Sequence, residues 1–391
     1  MYNFQHFINM KIDKSKLIFK PRFTPLICVT HRCNLNCLYC YQKHDKSKMT
    51  LDTAKRVIDC IFDVIPDETV VAEIGFMGGE PLLEFDLIKE IVEYTCSNKK
   101  QNKFIFFATT NGTLINPEMK NWLKTRKDVF VLGLSLDGSK ETQDYNRDKS
   151  FDKIDIEFFL KNYPEQTVKM TLSEYSLPRL AENIKFIHSC GFKSISGANL
   201  AEMNFDWSKD DYIKLLVPQL KELVEFYLEN DNLNNQMFTK KIHLCEVNKN
   251  NKNIDKWCGI GTGTPFFDVD GKVYPCPYFT QMTFSENVLS EIDKIDFSNN
   301  ENFLDDCFNA CYIYPMCPTC AGVNYLVNKS LKKRDKRRCK IQKLIALFLA
   351  DLRAKQIVKN PKLFDDVTLY RTIEAIKQIR LQYMPEFEKF L

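Results

Sequence analysis

Fifteen cysteines stand in the 391-residue chain, and they are unevenly placed. Three fall together as Cys33-Asn-Leu-Asn-Cys37-Leu-Tyr-Cys40, a C-x3-C-x2-C run with no fourth cysteine beside it. A structural zinc site wants four closed ligands, usually from paired C-x2-C units. A [4Fe–4S] cluster also wants four, one per iron. Three thiolates in one loop therefore suggest a cluster with one iron open to a small molecule. A second group holds Cys307, Cys311, Cys317, Cys320 and Cys339, with Cys245, Cys258 and Cys276 leading up to it. Thiolate-rich sites of this kind suit zinc or iron–sulfur. Cys28, Cys60, Cys96 and Cys190 are scattered and read as small buried hydrophobes. A chain this long needs no disulfide staples, and clustered cysteines in a cytoplasmic protein are more often metal ligands than disulfides.

The elements that must carry these residues alternate. Apolar or β-branched runs at Leu26–Thr30, Val70–Met77, Phe104–Thr109, Val129–Leu136, Thr167–Leu172 and Phe192–Ser196 read as strands. Helical periodicity lies between them. From Thr50 to Ile65 it is carried by Ala54, Val57, Ile58, Ile61, Phe62 and Ile65, with Thr50 as a cap and Pro66 as a stop. Leu177 to Cys190 has Pro178 in its first turn and Gly191 past its end. Strands separated by helices imply a parallel α/β sheet, either open or curled into a whole or partial barrel. No G-x-G-x-x-G follows the first strand, so a dinucleotide site of that type is unsupported. A helix is expected over Asp210–Glu229, an Asn-rich connection over Asn230–Asn253, and amphipathic helix over the last 50 residues.

The C-x3-C-x2-C run with an aromatic residue, Tyr39, before its last cysteine resembles the radical S-adenosylmethionine (SAM) superfamily. The resemblance implies that Cys33, Cys37 and Cys40 hold a [4Fe–4S] cluster whose open iron chelates SAM. One electron then splits the sulfonium and gives a 5′-deoxyadenosyl radical. Phe76-Met-Gly78-Gly79-Glu80-Pro81, after the second strand, is similar to the family's GGE motif at the methionine amino group. Asn111, in Thr110-Asn-Gly-Thr113, follows the third strand where the family has a similar segment. After the fourth strand, Ser135 would contact the SAM ribose or carboxylate, with Asp137 supporting the loop. Arg147 matches a family arginine that pairs with the SAM carboxylate, and Leu200 is implied as a further SAM contact. These motifs fall at the C-terminal ends of successive expected strands, the face on which parallel α/β folds carry ligands. The fold implied is a partial (β/α)6 TIM-type barrel, the resemblance running over about Phe23 to Leu200.

The second cysteine group resembles the seven-cysteine SPASM extension of some radical SAM enzymes. Cys258 precedes Gly271-x4-Cys276, and the later block reads Cys307-x3-Cys311-x5-Cys317-x2-Cys320 before Cys339. The usual block has x2 and x3 where this chain has x3 and x2. By resemblance Cys307, Cys311, Cys317 and Cys339 hold one auxiliary [4Fe–4S] cluster, and Cys258, Cys276 and Cys320 the other. Its fourth ligand is Cys245, an open iron, water or substrate. Such a cluster can accept the electron a substrate radical must lose when a new bond forms. The expected organisation is an N-terminal extension (1–23), a radical SAM core (24–205), a helical bridge (206–244), an auxiliary-cluster domain (245–340) and C-terminal helices (341–391).

SPASM-type enzymes mostly modify ribosomally made peptides or proteins. The resemblance therefore implies a precursor peptide as substrate and an electron donor such as flavodoxin or ferredoxin. The sulfatase-maturing branch places an aspartate base directly after the G-x4-C cysteine, where this chain has Pro277. Formylglycine formation thus ranks below crosslinking. Asp268 and Asp270 are alternative bases, or partners of Gly271 in a hairpin turn. Lys329–Lys340 carries eight basic residues against one acidic, either as a solvated face or as a dock for an acidic peptide. Only about 24 residues precede the first strand, short of the leader-binding domain of roughly 80 that many relatives carry. A metal-stabilised binding module is the non-enzymatic alternative.

The composition bounds these readings. With 44% hydrophobic residues the chain can bury a core, and its net charge of +4 is too weak to argue nucleic-acid binding. No signal peptide is legible at the N-terminus. The longest greasy run, Leu344–Leu352, is too short for a membrane span, so a cytoplasmic protein is expected.

Overall fold

The computed structural model describes residues 22–65, 69–99, 102–200, 205–247, 258–317 and 319–391, with backbone alone at 22, 197–200 and 247. The strands, in chain order, are β1 (Arg22–Phe23), β2 (Leu26–Thr30), β3 (Val71–Gly78), β4 (Lys103–Thr110), β5 (Phe130–Leu134), β6 (Val168–Leu172), β7 (Ser194–Leu200), β8 (Asn234–Asn235), β9 (Phe266–Phe267) and β10 (Val273–Tyr274). They belong to two compact units. One lies within Met1–Ser135, Arg147–Gln166 and Lys256–Asn302, the other within Leu136–Asn146, Thr167–Asp255 and Phe303–Leu391.

The first unit is built on a seven-stranded sheet in the order β10-β9-β2-β3-β4-β5, with β1 also on β3. All its pairs are parallel except β10 with β9. Parallel neighbours need crossover connections, and the helices Leu51–Val64, Phe85–Asn98 and Pro117–Thr125 supply them. The expected strands and the expected first helix are present. Thr50 caps that helix by accepting from the Thr53 N–H at 3.2 Å, and Ala54, Val57, Ile58, Ile61 and Phe62 are buried along one face. The expected stop at Pro66 lies outside the described residues. Phe76, Phe106 and Phe130, from adjacent strands, stack with centroids 5.3 and 6.1 Å apart.

Four two-residue strands, β1, β8, β9 and β10, were not legible, and β8 lies in the expected Asn-rich connection. Residues 266–267, in the cysteine-rich stretch, pair in parallel with Leu26 and Ile27. Two apolar residues are too few for a strand signal, but the edge of β2 leaves backbone groups that need partners.

The second unit has a parallel sheet of β6, β7 and β8 and a set of long helices. The expected segment 177–190 forms a short 3-10 turn, Leu177–Arg179, followed by the helix Leu180–Ser189. Gly191 follows with a φ of 113°, a left-handed conformation that glycine adopts without strain. The helix Asp210–Glu229 keeps Pro218 inside it. The last 50 residues form the helices Cys339–Lys359 and Asp366–Phe387; helix was expected, but the first is not amphipathic, since Leu344 to Leu349 and Ala350 are buried without a break around its whole circumference. Among the described residues no helix is long and apolar enough to cross a membrane.

Candidate functional site

The cysteine loop leaves the C-terminal end of β2. The Thr30 hydroxyl donates to the Ser47 carbonyl at 3.1 Å and accepts from the Arg32 N–H at 3.2 Å, turning the chain into the loop. Cys33, Cys37 and Cys40 are all half-buried, and the Cys40 N–H donates to the Cys37 carbonyl at 3.1 Å. Burial pushes the Cys33 and Cys40 thiols up, opposed at Cys40 by nearby backbone and by the charge of Arg147. Thiols held protonated this way release protons when they take up metal.

The spacing of these thiols bears on what they fit. Tetrahedral zinc brings its sulfur ligands to about 3.8 Å from one another. Among the described residues, the ligand groups within 4.8 Å of one another are Cys28 with His31 and Asp268, and Cys307 with Asp305 and Asp306. The x3 and x2 spacings put three thiols on one loop, with Cys33 under the charge of Cys40, and three thiolates suit a cluster that keeps one iron open.

The Gly78-Gly79-Glu80 turn at the end of β3 is fastened to this loop. The Gly79 N–H donates to the Thr30 carbonyl at 3.2 Å, and the Glu80 N–H to the Arg32 carbonyl at 2.9 Å. A Cβ on Gly78, whose φ is 145°, would lie 2.0 Å from the Thr30 oxygen, and one on Gly79 would lie 2.4 Å from the Arg32 oxygen. The close approach these glycines permit is to the chain's own backbone. Glu80 is buried. Its carboxylate accepts from the Thr110 hydroxyl at 2.8 Å, the Asn111 N–H at 2.8 Å and the Leu82 N–H at 3.1 Å. Burial raises this carboxyl above its ordinary value, and those donors and Arg147 oppose the rise.

Asn111 reaches back to the cysteine loop. Its amide donates to the Asn34 side chain at 2.9 Å, and its oxygen accepts from the Thr113 N–H and hydroxyl at 3.0 and 2.7 Å. Asn34 donates to the Thr113 hydroxyl at 2.8 Å and closes the ring of contacts. The Ser135 N–H, past the end of β5, donates to the Thr110 carbonyl at 2.9 Å. Arg147 is buried, and its guanidinium lies 5.4 Å from the centroid of the Tyr39 ring. Asp148 and Lys149 then adopt left-handed backbone, with φ of 54° and 53°. Such a conformation costs about 1–3 kcal/mol at a non-glycine residue and collects at functional loops. Asp148 uses it to accept from the Asn36 N–H at 3.2 Å, inside the cysteine run.

The first unit therefore brings together Cys33, Cys37, Tyr39, Cys40, Gly78, Gly79, Glu80, Asn111, Ser135 and Arg147. Asp137 belongs to the second unit, where its buried carboxylate accepts from the Thr171 N–H at 2.9 Å and the Asn146 amide at 3.2 Å. Both partners lie in its own unit. Leu200 ends β7, paired with Leu172, and its side chain lies outside the described residues. Asn34, Thr113 and Asp148 were not legible as site residues, because their partners are far along the chain and no motif marks them. His31 was missed too. It sits between Asp45 at 3.1 Å and Asp268 at 2.7 Å. Burial alone would lower this imidazole, but the two carboxylates outweigh it and raise it to about 9. The hairpin reading of Asp268 and Gly271 holds: the Gly271 N–H donates to the Asp268 carbonyl at 2.8 Å.

The later cysteines gather within each unit. In the first, Cys276 is pushed up to about 12 by burial and then by the charge of Cys258 beside it. In the second, Cys339 is pushed up to about 11 by burial and then by Cys307, Cys317 and Cys311. Cys317, Cys320 and Cys339 line one small cavity with Arg334 and Arg338. Cys245 is buried and acts electrostatically on Tyr312. Much of the basic run is spent on internal pairs: Arg334 on Asp305, Lys336 on Asp306, Arg337 on Asp335 and Lys340 on Asp210.

A parallel sheet that carries a half-buried three-thiol loop past β2 and a buried acid past β3 is an α/β fold with a candidate metal-cluster site on its strand ends. Residues 27–196 match the family described as the Radical SAM superfamily. An uncharacterised protein of Methanocaldococcus jannaschii is 32% identical over 274 residues, 67% of this chain and 87% of its own length. The chain belongs to the radical SAM superfamily and is an enzyme using SAM and [4Fe–4S] chemistry. It is similar to the radical SAM cyclopropyl synthase TigE of Paramaledivibacter caminithermalis, 26% identical over 82% of this chain and 72% of that one. It is also similar to a cysteine-type anaerobic sulfatase-maturating enzyme of Clostridium perfringens, 22% identical over 89% and 96%. Two solved structures share the fold. One is anSMEcpe with bound AdoMet, with a TM-score of 0.65, 19% identity and coverage of 90% and 98%. The other is Streptococcus suis SuiB bound to precursor peptide SuiA, with a TM-score of 0.55, 16% identity and coverage of 85% and 79%.

Proposed function

We propose that this enzyme is a peptide maturase of the SPASM type that forms a thioether, carbon–carbon or carbon–oxygen crosslink in a ribosomally made precursor peptide. In this reading Cys33, Cys37 and Cys40 hold the SAM cluster. Arg147 pairs with the SAM carboxylate, the Gly78–Glu80 turn meets its amino group through backbone, and Ser135 meets its ribose or carboxylate. Asn111 and Asp137 hold the loops that carry these groups. Cys307, Cys311, Cys317 and Cys339 hold one auxiliary cluster, and Cys258, Cys276 and Cys320 the other, with Cys245 as a candidate fourth ligand. The SAM cluster and SAM together supply the carbon-centred radical that takes a hydrogen atom from substrate. An external one-electron donor is needed. The five-part organisation of the sequence reading, with its core over 24–205 and its auxiliary-cluster domain over 245–340, belongs to the same proposal.

SuiB was solved with a precursor peptide, which supports a peptide substrate. The choice of crosslinking rests on Cys276-Pro277. The sulfatase-maturing branch keeps an aspartate base at that second position, and a proline carries no proton acceptor. The carboxylates just before it are engaged elsewhere. Asp268 is buried against His31, and Asp270 accepts from the Lys272 N–H at 2.8 Å. Sulfatase maturation stands second, favoured by the length over which the Clostridium perfringens enzyme matches.

Co-expression with a candidate precursor peptide encoded beside the gene, followed by tandem mass spectrometry, tests the choice. A peptide lighter by two hydrogen atoms, with fragments joined across two residues, is the expected product. An unaltered peptide together with formylglycine in a co-expressed sulfatase would reverse the ranking.

A further inference from the structure

We infer that Lys336, opposed by Asp306 and assisted by Tyr383, sets the reduction potential of the cluster carried by Cys307, Cys311, Cys317 and Cys339. This rests on the assignment of those four cysteines proposed above.

Lys336 opens a 3-10 turn, Lys336–Arg338, that is capped by Asp335 and runs directly into Cys339. The turn fixes the lysine stem relative to one cysteine of the set. Its ammonium reaches another: Lys336 Nζ lies 2.8 Å from Cys307 Sγ and 3.0 Å from Asp306 Oδ2. Asp306 Oδ1 is itself 3.8 Å from the same sulfur. On another member of the set, the Tyr383 hydroxyl lies 3.5 Å from Cys311 Sγ. Of the other charges nearby, Asp305 and Arg334 offset each other, and Lys240 faces Cys317. Asp305 accepts from the Cys307 N–H at 2.9 Å and from Arg334 Nε at 2.9 Å, with Arg334 Nη2 in ion-pair contact at 2.8 Å, and Arg334 also donates to the Cys317 carbonyl at 3.1 Å. That pair is fully buried, whereas Lys336 and Asp306 are about half exposed.

A hydrogen bond to a ligating sulfur withdraws electron density from the thiolate. A nearby cation stabilises the more negative, reduced cluster, and a nearby anion does the reverse. Lys336 supplies both favourable effects at Cys307, and Asp306 supplies the opposing one from the same side. The two residues therefore act on the cluster with opposite sign. A role confined to holding the fold would give no such opposition, since breaking one salt bridge from either end weakens the same contact.

The test is a potentiometric titration of the full-length, anaerobically reconstituted protein, followed by electron paramagnetic resonance. Lys336→Met should lower the potential of one auxiliary cluster and leave that of the SAM cluster in place. Asp306→Asn should raise it, Tyr383→Phe should lower it by less than Lys336→Met, and Lys336→Arg should stay near wild type. Equal potentials in wild type and Lys336→Met at full iron content would overturn the inference, as would shifts of one sign in Lys336→Met and Asp306→Asn. If Lys336→Met instead loses about four irons per chain, the lysine retains the cluster rather than tuning it, and the inference also fails. Failure of the underlying assignment looks different: wild-type protein itself would carry iron only for the SAM cluster.

Discussion

The buried carboxylate of Glu80 accepts a 2.8 Å hydrogen bond from the backbone N–H of Asn111, joining the ends of β3 and β4 beyond their ladder. Its other oxygen accepts from the Thr110 hydroxyl and the Leu82 N–H. All three partners are donors, so the site wants an acceptor-only group. Glu80→Gln puts an amide N–H₂ against a donor and should cost about 1–3 kcal/mol. The urea unfolding midpoint reads that loss. Iron uptake at the Cys33–Cys40 loop should fall with it, because Asn111 also holds Asn34.

Gly79→Ala should be worse for the cluster than for the sheet. The added Cβ would meet the Arg32 oxygen at 2.4 Å, its carbonyl carbon at 2.7 Å and the Cys33 Cβ at 2.9 Å. Backbone atoms have no rotamer by which to yield, so Cys33 must move. A destabilisation of about 1–3 kcal/mol is expected, with a reconstituted iron content reduced at the SAM site. Gly133→Ala is the control. Its Cβ would stand 3.7 Å from the nearest atoms, and the variant should load iron normally.

What the sequence disclosed and what it hid follow from range. Cys33, Cys37 and Cys40 lie within one loop, so their spacing alone carried a chemical meaning. The helix Leu51–Val64 declared itself by periodicity and by Thr50, both local signals. The contacts that shape the site are not local. His31 meets Asp268 across 237 residues, and Asn34 meets Thr113 across 79. Lys329–Lys340 was legible only in part, for the same reason. Lys329, Lys332 and Lys333 are exposed, as a solvated face has them. A run of like charges reads as a free basic face, but Arg334 and Lys340 are paired with Asp305 and Asp210, the second of these 130 residues away.

His188 gives a pH dependence whose sign is fixed by its partners. Its Nδ1 lies 2.7 Å from the Phe192 carbonyl and must donate there, which leaves Nε2 to accept from the Tyr227 hydroxyl at 2.9 Å. Burial holds this imidazole below its ordinary value, opposed by the Phe192 carbonyl. As pH falls through about 6.5 the unfolded chain takes up a proton that the folded chain resists, so stability drops with pH. His188→Gln keeps a donor and an acceptor but does not titrate. Between about pH 7 and pH 5 the wild-type urea midpoint should fall relative to that variant. Parallel curves would show that His188 takes its proton as readily folded as unfolded.

The two classes of cysteine should separate kinetically. On the proposed assignment, Cys37→Ala leaves the SAM cluster with two of its three thiolates, and an iron that loses its thiolate is not held in place by the rest of the loop. The variant should lose about four irons per chain and form no 5′-deoxyadenosine on reduction. Cys317→Ala leaves the Cys33–Cys40 loop untouched. It should still cleave SAM when reduced, but without making crosslinked peptide, so that 5′-deoxyadenosine accumulates in excess of product. Chromatographic counting of both products in one anaerobic reaction gives the ratio directly. A Cys317→Ala protein that makes product in step with 5′-deoxyadenosine would show that the Cys307–Cys339 thiols are not required once the hydrogen atom has been taken.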